Sequence, residues 1–187
     1  MENMKFLTIL FVIQLSAFSI EMQAGSGDEK EYKFKAAYLL NFLQFVEWPE
    51  DVNESINSPI VIGILGEDPF HSLIDQAVEG ETIKGRKVLI QRFRSLDEVE
   101  RCHLLFVGKS EKSKTPYYLS HLLGQKILTV GESDGFAAQG GVINFFQENT
   151  KLRFEINEEA AKNAGLKISS KLLRLAKIVS TQNSGKE

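Results

Sequence analysis

The stretch DGFAAQGGVINFFQENTKLRFEINEEAAKNAGLKISSKLLRLAKIV, residues 134–179, decides the fold. Gly140-Gly141 leads into the apolar VINFF (142–146), the polar QENT (147–150) follows, and the chain then alternates through Leu152, Arg153, Phe154, Glu155 and Ile156. Two extended runs joined by a short polar loop predict a β-hairpin. Leu152, Phe154 and Ile156 share a face opposite Arg153 and Glu155, the period of a half-exposed strand, so the hairpin is expected at a sheet edge. Asn157 is placed to cap a short helix at 158–163 that Gly165 ends. Ser169 or Ser170 is placed to cap a last helix burying Leu172, Leu173, Leu175, Ala176 and Val179, and 181–187 reads as a disordered tail.

Upstream, two periods alternate. PIVIGIL (59–65) is a continuous β-branched run of the kind expected in a strand covered on both faces. Asp68-Pro69-Phe70 offers an N-cap and a first-turn proline ahead of Leu73, Ile74, Ala77 and Val78. A second strand follows at 87–92, a short helical turn at 96–99, a third strand at 102–107, a helix from Thr115-Pro116 through Leu123 with Gly124 as its stop, and a fourth strand ILTV at 127–130. Strand and helix alternating at these lengths predict one three-layer α/β/α sandwich with a mostly parallel sheet, right-handed crossovers and a C-terminal antiparallel edge hairpin.

Before the first strand, Tyr32, Ala36, Leu39, Leu43 and Val46 recur at helical spacing, and Phe34, Tyr38, Phe42 and Phe45 make a second stripe beside them. One stripe is expected to face the sheet. The other is either covered by neighbouring elements or open to a partner, a second copy included, which makes a homodimer reasonable. Trp48-Pro49 ends this helix. Trp48 is the only tryptophan; it either plugs the end of the core or lines a ligand groove.

Residues 1–24 bear on compartment. A short start with Lys5 precedes an apolar run at 6–20, broken only by Thr8, Gln14, Ser16 and Ser19, and then Ala24. This is the pattern of a cleavable signal peptide. The competing reading is a retained anchor, although the run is shorter than the roughly 20 apolar residues of a spanning helix. Residues 25–31 read as a flexible tip and 32–180 as one domain. With 43% hydrophobic and 25% charged residues the chain is ordinarily globular. A net charge of −3, or −2 once Glu2, Lys5 and Glu21 are removed, gives no electrostatic reason to bind nucleic acid. Past the leader there is one thiol, Cys102, so no internal disulfide can form.

Catalytic patterns are weak. His71, His103 and His121 have no spacing that puts two on one metal, and Ser72 beside His71 is not a nucleophile pair, because nucleophile and base must meet through space. GILGEDP (63–69) lacks both the glycines and the lysine of phosphate loops. Asp75 and Glu79 share a helical face of the kind usually solvated. The chain therefore reads as a binding protein rather than an enzyme, with no cofactor or metal expected. Candidates for a surface that reads a partner or small molecule are, in order, Phe136, Phe145, Phe146, Glu155, Asn157 and Arg174, with Tyr38, Phe42 and Trp48 beside them. Gly135, Gly140 and Gly141 either shape a turn near the carboxyl end of the fourth strand or free the backbone for a ligand there.

KAAYLLNFLQFVEWP (35–49), PIVIGILGEDPF (59–70), CHLLFVG (102–108), ILTVGESDGFAAQGGVINFF (127–146) and LRFEINEEAAKNAGLKISSKLLRLA (152–176) together resemble the YfiR-like family over nearly the whole exported chain. The resemblance implies a periplasmic regulator that binds and silences the outer-facing sensory domain of an inner-membrane diguanylate cyclase, so lowering cyclic-di-GMP and biofilm formation. It also implies release by a peptidoglycan-associated outer-membrane lipoprotein. Described relatives carry paired cysteines, whereas Cys102 here has no partner, which puts redox control through an internal bridge in doubt. The alternative function is a ligand-binding module of a transporter or receptor, in which a cleft does the work.

Overall fold

The computed structural model describes residues 26–49 and 58–182. The expected leader at 1–24 lies outside these residues. Helix α1 spans Ser26–Phe45, so residues 26–31, expected as a flexible tip, are its first turns. Lys35, Ala36, Leu39, Phe42, Leu43 and Val46 are all buried, the i, i+3, i+4, i+7 spacing of one helix face. Phe42 thus belongs to the sheet-facing stripe, Tyr38 and Phe45 are half-buried, and Phe34 alone of the second stripe is well exposed. The helix stops before Trp48-Pro49, because Val46–Glu47 forms a short strand, β1, which pairs antiparallel with β9 at Lys167–Ile168.

The remaining strands are β2 (Ile60–Leu65), β3 (Thr82–Ile83), β4 (Arg86–Phe93), β5 (Leu104–Val107), β6 (Leu128–Gly131), β7 (Ile143–Glu148), β8 (Lys151–Asn157) and β10 (Lys177–Val179). They make one eight-stranded sheet in the order β10-β8-β7-β6-β5-β2-β4-β3. Its centre, β4 to β7, is parallel throughout. Helices α2 (Ser72–Val78) and α3 (Thr115–Leu122) are the crossovers, and α4 (Glu158–Asn163) and α5 (Ser170–Leu173) follow the hairpin.

Alternating residues of the central strands feed two cores. Ile62, Ile64, Leu104, Phe106, Leu128 and Val130 pack with α1, α2 and α4, while Leu65, Leu105, Val107 and Phe136 pack with Tyr118, Leu119 and Leu122 of α3. Every residue of β2 is buried, which is why its sequence is continuous rather than alternating. Each fully buried isoleucine contributes about 2 kcal/mol of transfer free energy.

The hairpin stands where it was expected, and Asn149 and Thr150 form its two-residue turn with φ of 49° and 64°. Two positive φ values make a type I′ turn, whose twist matches the strands. At the C-terminus the expectation of a long last helix fails. Helix α5 ends at Leu173, Leu175 is exposed, and Lys177–Val179 runs as β10 parallel to Glu155, Ile156 and Asn157 of β8. The open edge of β8 and the β-branched Ile178-Val179 outweigh the local helical spacing. The hairpin is therefore outermost only over residues 151–154. Thr181 and Gln182, expected in a disordered tail, are hydrogen-bonded to Asn157 and to the Ala138 carbonyl. Asp68 does not cap α2 either: its carboxylate accepts from the Phe70 N–H and from Arg92.

A β-branched residue in the left-handed region is strained by roughly 1–2 kcal/mol. Thr150→Gly is expected to stabilise the domain by about 1 kcal/mol, read as a higher urea midpoint at unchanged slope. Cys102 faces Gly63, where an added Cβ would lie 3.0 Å from Sγ, close to the roughly 3 Å that disulfide bond lengths impose. Gly63→Cys is accordingly expected to cross-link to Cys102 when the chain is refolded in an oxidising thiol–disulfide buffer, while both thiols are still accessible and once the nearby Phe93 and Leu105 side-chain ends yield. Thiol titration checks this, and two persistent free thiols would contradict the placement.

Candidate functional site

In open α/β sheets ligands favour the crevice at the carboxyl ends of the strands, where the winding reverses. Here β2 is followed by β4 on one side and β5 on the other, so that crevice lies beside Gly66 and Gly108. Hydrogen bonds within the protein cross it. Glu132, directly after β6, is buried and accepts from Lys35 Nζ at 2.6 Å, from the Tyr32 hydroxyl at 3.1 Å and from the Lys109 N–H at 3.2 Å. The Lys35 ammonium lies 4.3 Å from the centre of the Tyr32 ring, and Tyr32 meets Phe70 edge to face. Across the crevice the Glu67 N–H donates to Ser110 Oγ at 3.1 Å, and a side chain on Gly66 would overlap Glu111.

Glu111 is itself buried and accepts from the Tyr118 hydroxyl and from Lys114. The Tyr118 hydrogen bond above all holds its carboxyl below the usual range. A depressed carboxyl adds stability that is present above its unfolded pKa and lost as pH falls through the folded one. Burial pushes the Cys102 thiol up to about 12, and its Sγ–H donates to the Leu104 carbonyl, so it is a neutral, unreactive packing residue at pH 7. Among the described residues no group of three or more His, Cys, Asp and Glu is placed to hold a metal.

The residues singled out in the sequence do not come together as one surface. Phe136 is buried between Gly131 and Gly141, where a Cβ on either would overlap its ring; those glycines make room for Phe136 rather than for a ligand. Phe145 and Phe42 are buried and stack with the half-buried Tyr38 and with Phe154 in one aromatic cluster. Asn157 is fully buried: its Oδ1 accepts from the Ala160 N–H, capping α4, and its Nδ2 donates to Ala137 O and Thr181 Oγ1. These four buried side chains are not exposed contacts, because the loop 133–140, α1 and α4 cover them.

Phe146, half-buried, and Glu155, which is also buried, lie near the open edge. Asn144 Nδ2 donates to Glu155 Oε1 at 3.3 Å, Lys177 Nζ lies 3.7 Å from Glu155 Oε2, and the same ammonium stands 5.5 Å from the centre of the Phe146 ring. Arg174, exposed at the end of α5, flanks Leu175, which is 68% exposed, and Ile178 of β10 is 47% exposed. Trp48 lies elsewhere, in a cleft at the amino ends of the strands. Sequence reasoning missed Lys35 and Glu132. The available signal was Lys35 on the apolar spacing of Leu39, Phe42 and Val46, where a lysine needs a buried partner.

The domain is thus a doubly wound α/β fold whose carboxyl-end crevice is crossed by hydrogen bonds of its own side chains and whose outer sheet edge carries exposed apolar residues. The chain belongs to the YfiR/HmsC-like family, whose model matches residues 32–177. No curated protein matches the chain. At the level of the family this membership supports a regulatory protein acting with a partner in signalling. No helix among the described residues is long and apolar enough to cross a membrane.

Removing one partner of a buried pair leaves an uncompensated charge, at a cost of about 3–5 kcal/mol. Glu132→Gln is expected to destabilise by that amount, whereas Lys35→Met combined with Glu132→Leu recovers most of the loss. Chemical denaturation of the three variants checks this; equal instability of single and double variants would contradict it.

Proposed function

We propose that this domain is exported to the periplasm and restrains an inner-membrane diguanylate cyclase by docking on its sensory domain, lowering cyclic-di-GMP and with it biofilm formation. The family match over residues 32–177 carries this reading. Release by a peptidoglycan-associated outer-membrane lipoprotein belongs to the same proposal.

The docking surface is the β10 edge. Its outer backbone groups face no further strand among the described residues; Ile178 and the neighbouring Leu175 present exposed apolar surface, while Lys177 and Phe146 lie on the opposite face of the sheet. Such an edge accepts a partner strand or an apolar helix face.

Pull-down of the domain from solubilised membranes is expected to recover the cyclase. Leu175→Glu with Ile178→Lys is expected to weaken that complex at least tenfold, about 1.4 kcal/mol or more, with the melting curve unchanged. Recovery of a transporter, or of the same cyclase at full strength by the double variant, would overturn the partner or the surface respectively.

A further inference from the structure

The loop that leaves β2, residues 66–71, is held in a conformation its sequence does not favour. His71 has φ of 50° and ψ of −125°, the values of the first central position of a type II′ turn, and the Leu73 N–H closes that turn onto the Phe70 carbonyl at 2.9 Å. Glycine is the residue that takes this position without strain. A histidine there persists only where its surroundings over-determine it.

One side chain supplies most of that restraint. Arg92, near the end of β4, donates from Nε to Asp68 at 2.7 Å, from Nη1 and Nη2 to the two carboxylate oxygens of Asp75 at 3.2 and 2.6 Å, and from Nη2 to the carbonyl of His71 itself at 3.1 Å. The guanidinium therefore ties the loop, its strained residue and α2 to one point on the sheet. Asp68 passes the restraint on, because its other oxygen accepts from the Phe70 N–H at 2.8 Å. Forked geometry makes this stronger than an ordinary surface pair, yet the Arg92 and Asp75 side chains are 42% and 50% exposed, so salt weakens it.

What the loop carries inward is Phe70. Its ring is fully buried and meets Phe106 and Tyr32 edge to face, with centroids 4.8 and 5.4 Å away. Tyr32 is the residue whose hydroxyl reaches Glu132. At the other end of the loop Gly66 has φ of 91°, and the Glu67 N–H rests on Ser110 Oγ. An apolar plug at the carboxyl ends of the strands is thus attached to a segment that is strained on one side and held by exposed ion pairs on the other.

We propose that residues 66–71 form a latched flap: Arg92 is the latch, the strain at His71 favours release, and opening draws Phe70 out from between Tyr32 and Phe106 while the sheet stays folded. Opening uncovers the crevice at the carboxyl ends of β2 and β5. The device is separate from the β10 edge and does not depend on the partner proposed for it.

Hydrogen exchange of the folded domain, followed amide by amide by NMR, tests this. Glu67, Phe70 and Leu73 are expected to exchange through one shared opening that low urea leaves unchanged, as a local rather than a global event does. Sodium chloride at about 0.5 M raises that opening several-fold. Arg92→Gln raises it at least about tenfold at all three amides, while Leu105 and Val130 in the central strands keep their protection. His71→Gly, which takes the turn without strain, lowers it several-fold. Exchange unaltered by Arg92→Gln, acceleration shared equally by Leu105 and Val130, unequal responses of the three loop amides, or faster exchange in His71→Gly would each overturn the proposal.

Discussion

The Lys35–Glu132 pair is the contact on which the rest of the molecule is arranged. Both side chains are nearly inaccessible, at 2% exposure each, so neither charge can be left to water. Removing both from solvent is repaid only when the other hydrogen-bonding positions are also filled. The Tyr32 hydroxyl and the Lys109 N–H do that for Glu132, and the Tyr32 ring lies over the lysine. One carboxylate thereby joins α1, the end of β5 and the end of β6. That joint sets how α1 lies across the sheet, and it takes up the end of the sheet where other doubly wound proteins hold their ligands.

Most of the fold was legible because it rests on patterns that burial alone writes into a sequence. The β-branched run at 60–65 and the alternation at 152–156 need no partner to be read. Asn157 reads from its position both as a cap and as a binding candidate, and the structure makes it the cap, since a short helix must find an acceptor for its first N–H groups. What failed was decided by contacts far apart in sequence. Leu172, Leu173, Leu175 and Ala176 have helical spacing, yet the chain leaves the helix after Leu173 because β8 has unpaired backbone groups over Glu155–Asn157, and nothing local to residues 174–179 announces that edge.

The candidate site was less legible for a related reason. Aromatic residues in an apolar block read as candidates for a surface, yet Phe42, Phe136 and Phe145 lie inside, where large rings bury the most area. Phe136 is especially instructive. Gly135, Gly140 and Gly141 read either as turn formers or as room for a ligand; at Gly141, and at Gly131, the Phe136 ring occupies the space a side chain would take. Glycine near a strand end shows that something approaches closely, without showing whether it comes from outside or from the same chain.

Asn157 connects these points. Its amide uses both N–H donors, to Ala137 O at 2.8 Å and to Thr181 Oγ1 at 2.9 Å, and its oxygen accepts from the Ala160 N–H at 3.0 Å. One buried side chain therefore fastens the end of β8, the start of α4, the loop that carries Phe136, and the segment just after β10. Because Val179 is paired with Asn157 itself, the outermost strand is positioned from within the domain rather than by whatever lies against its outer side. A pre-positioned edge loses little conformational entropy when a partner is added. The apolar, interior character of this block is thus what keeps Leu175 and Ile178 displayed at a fixed place.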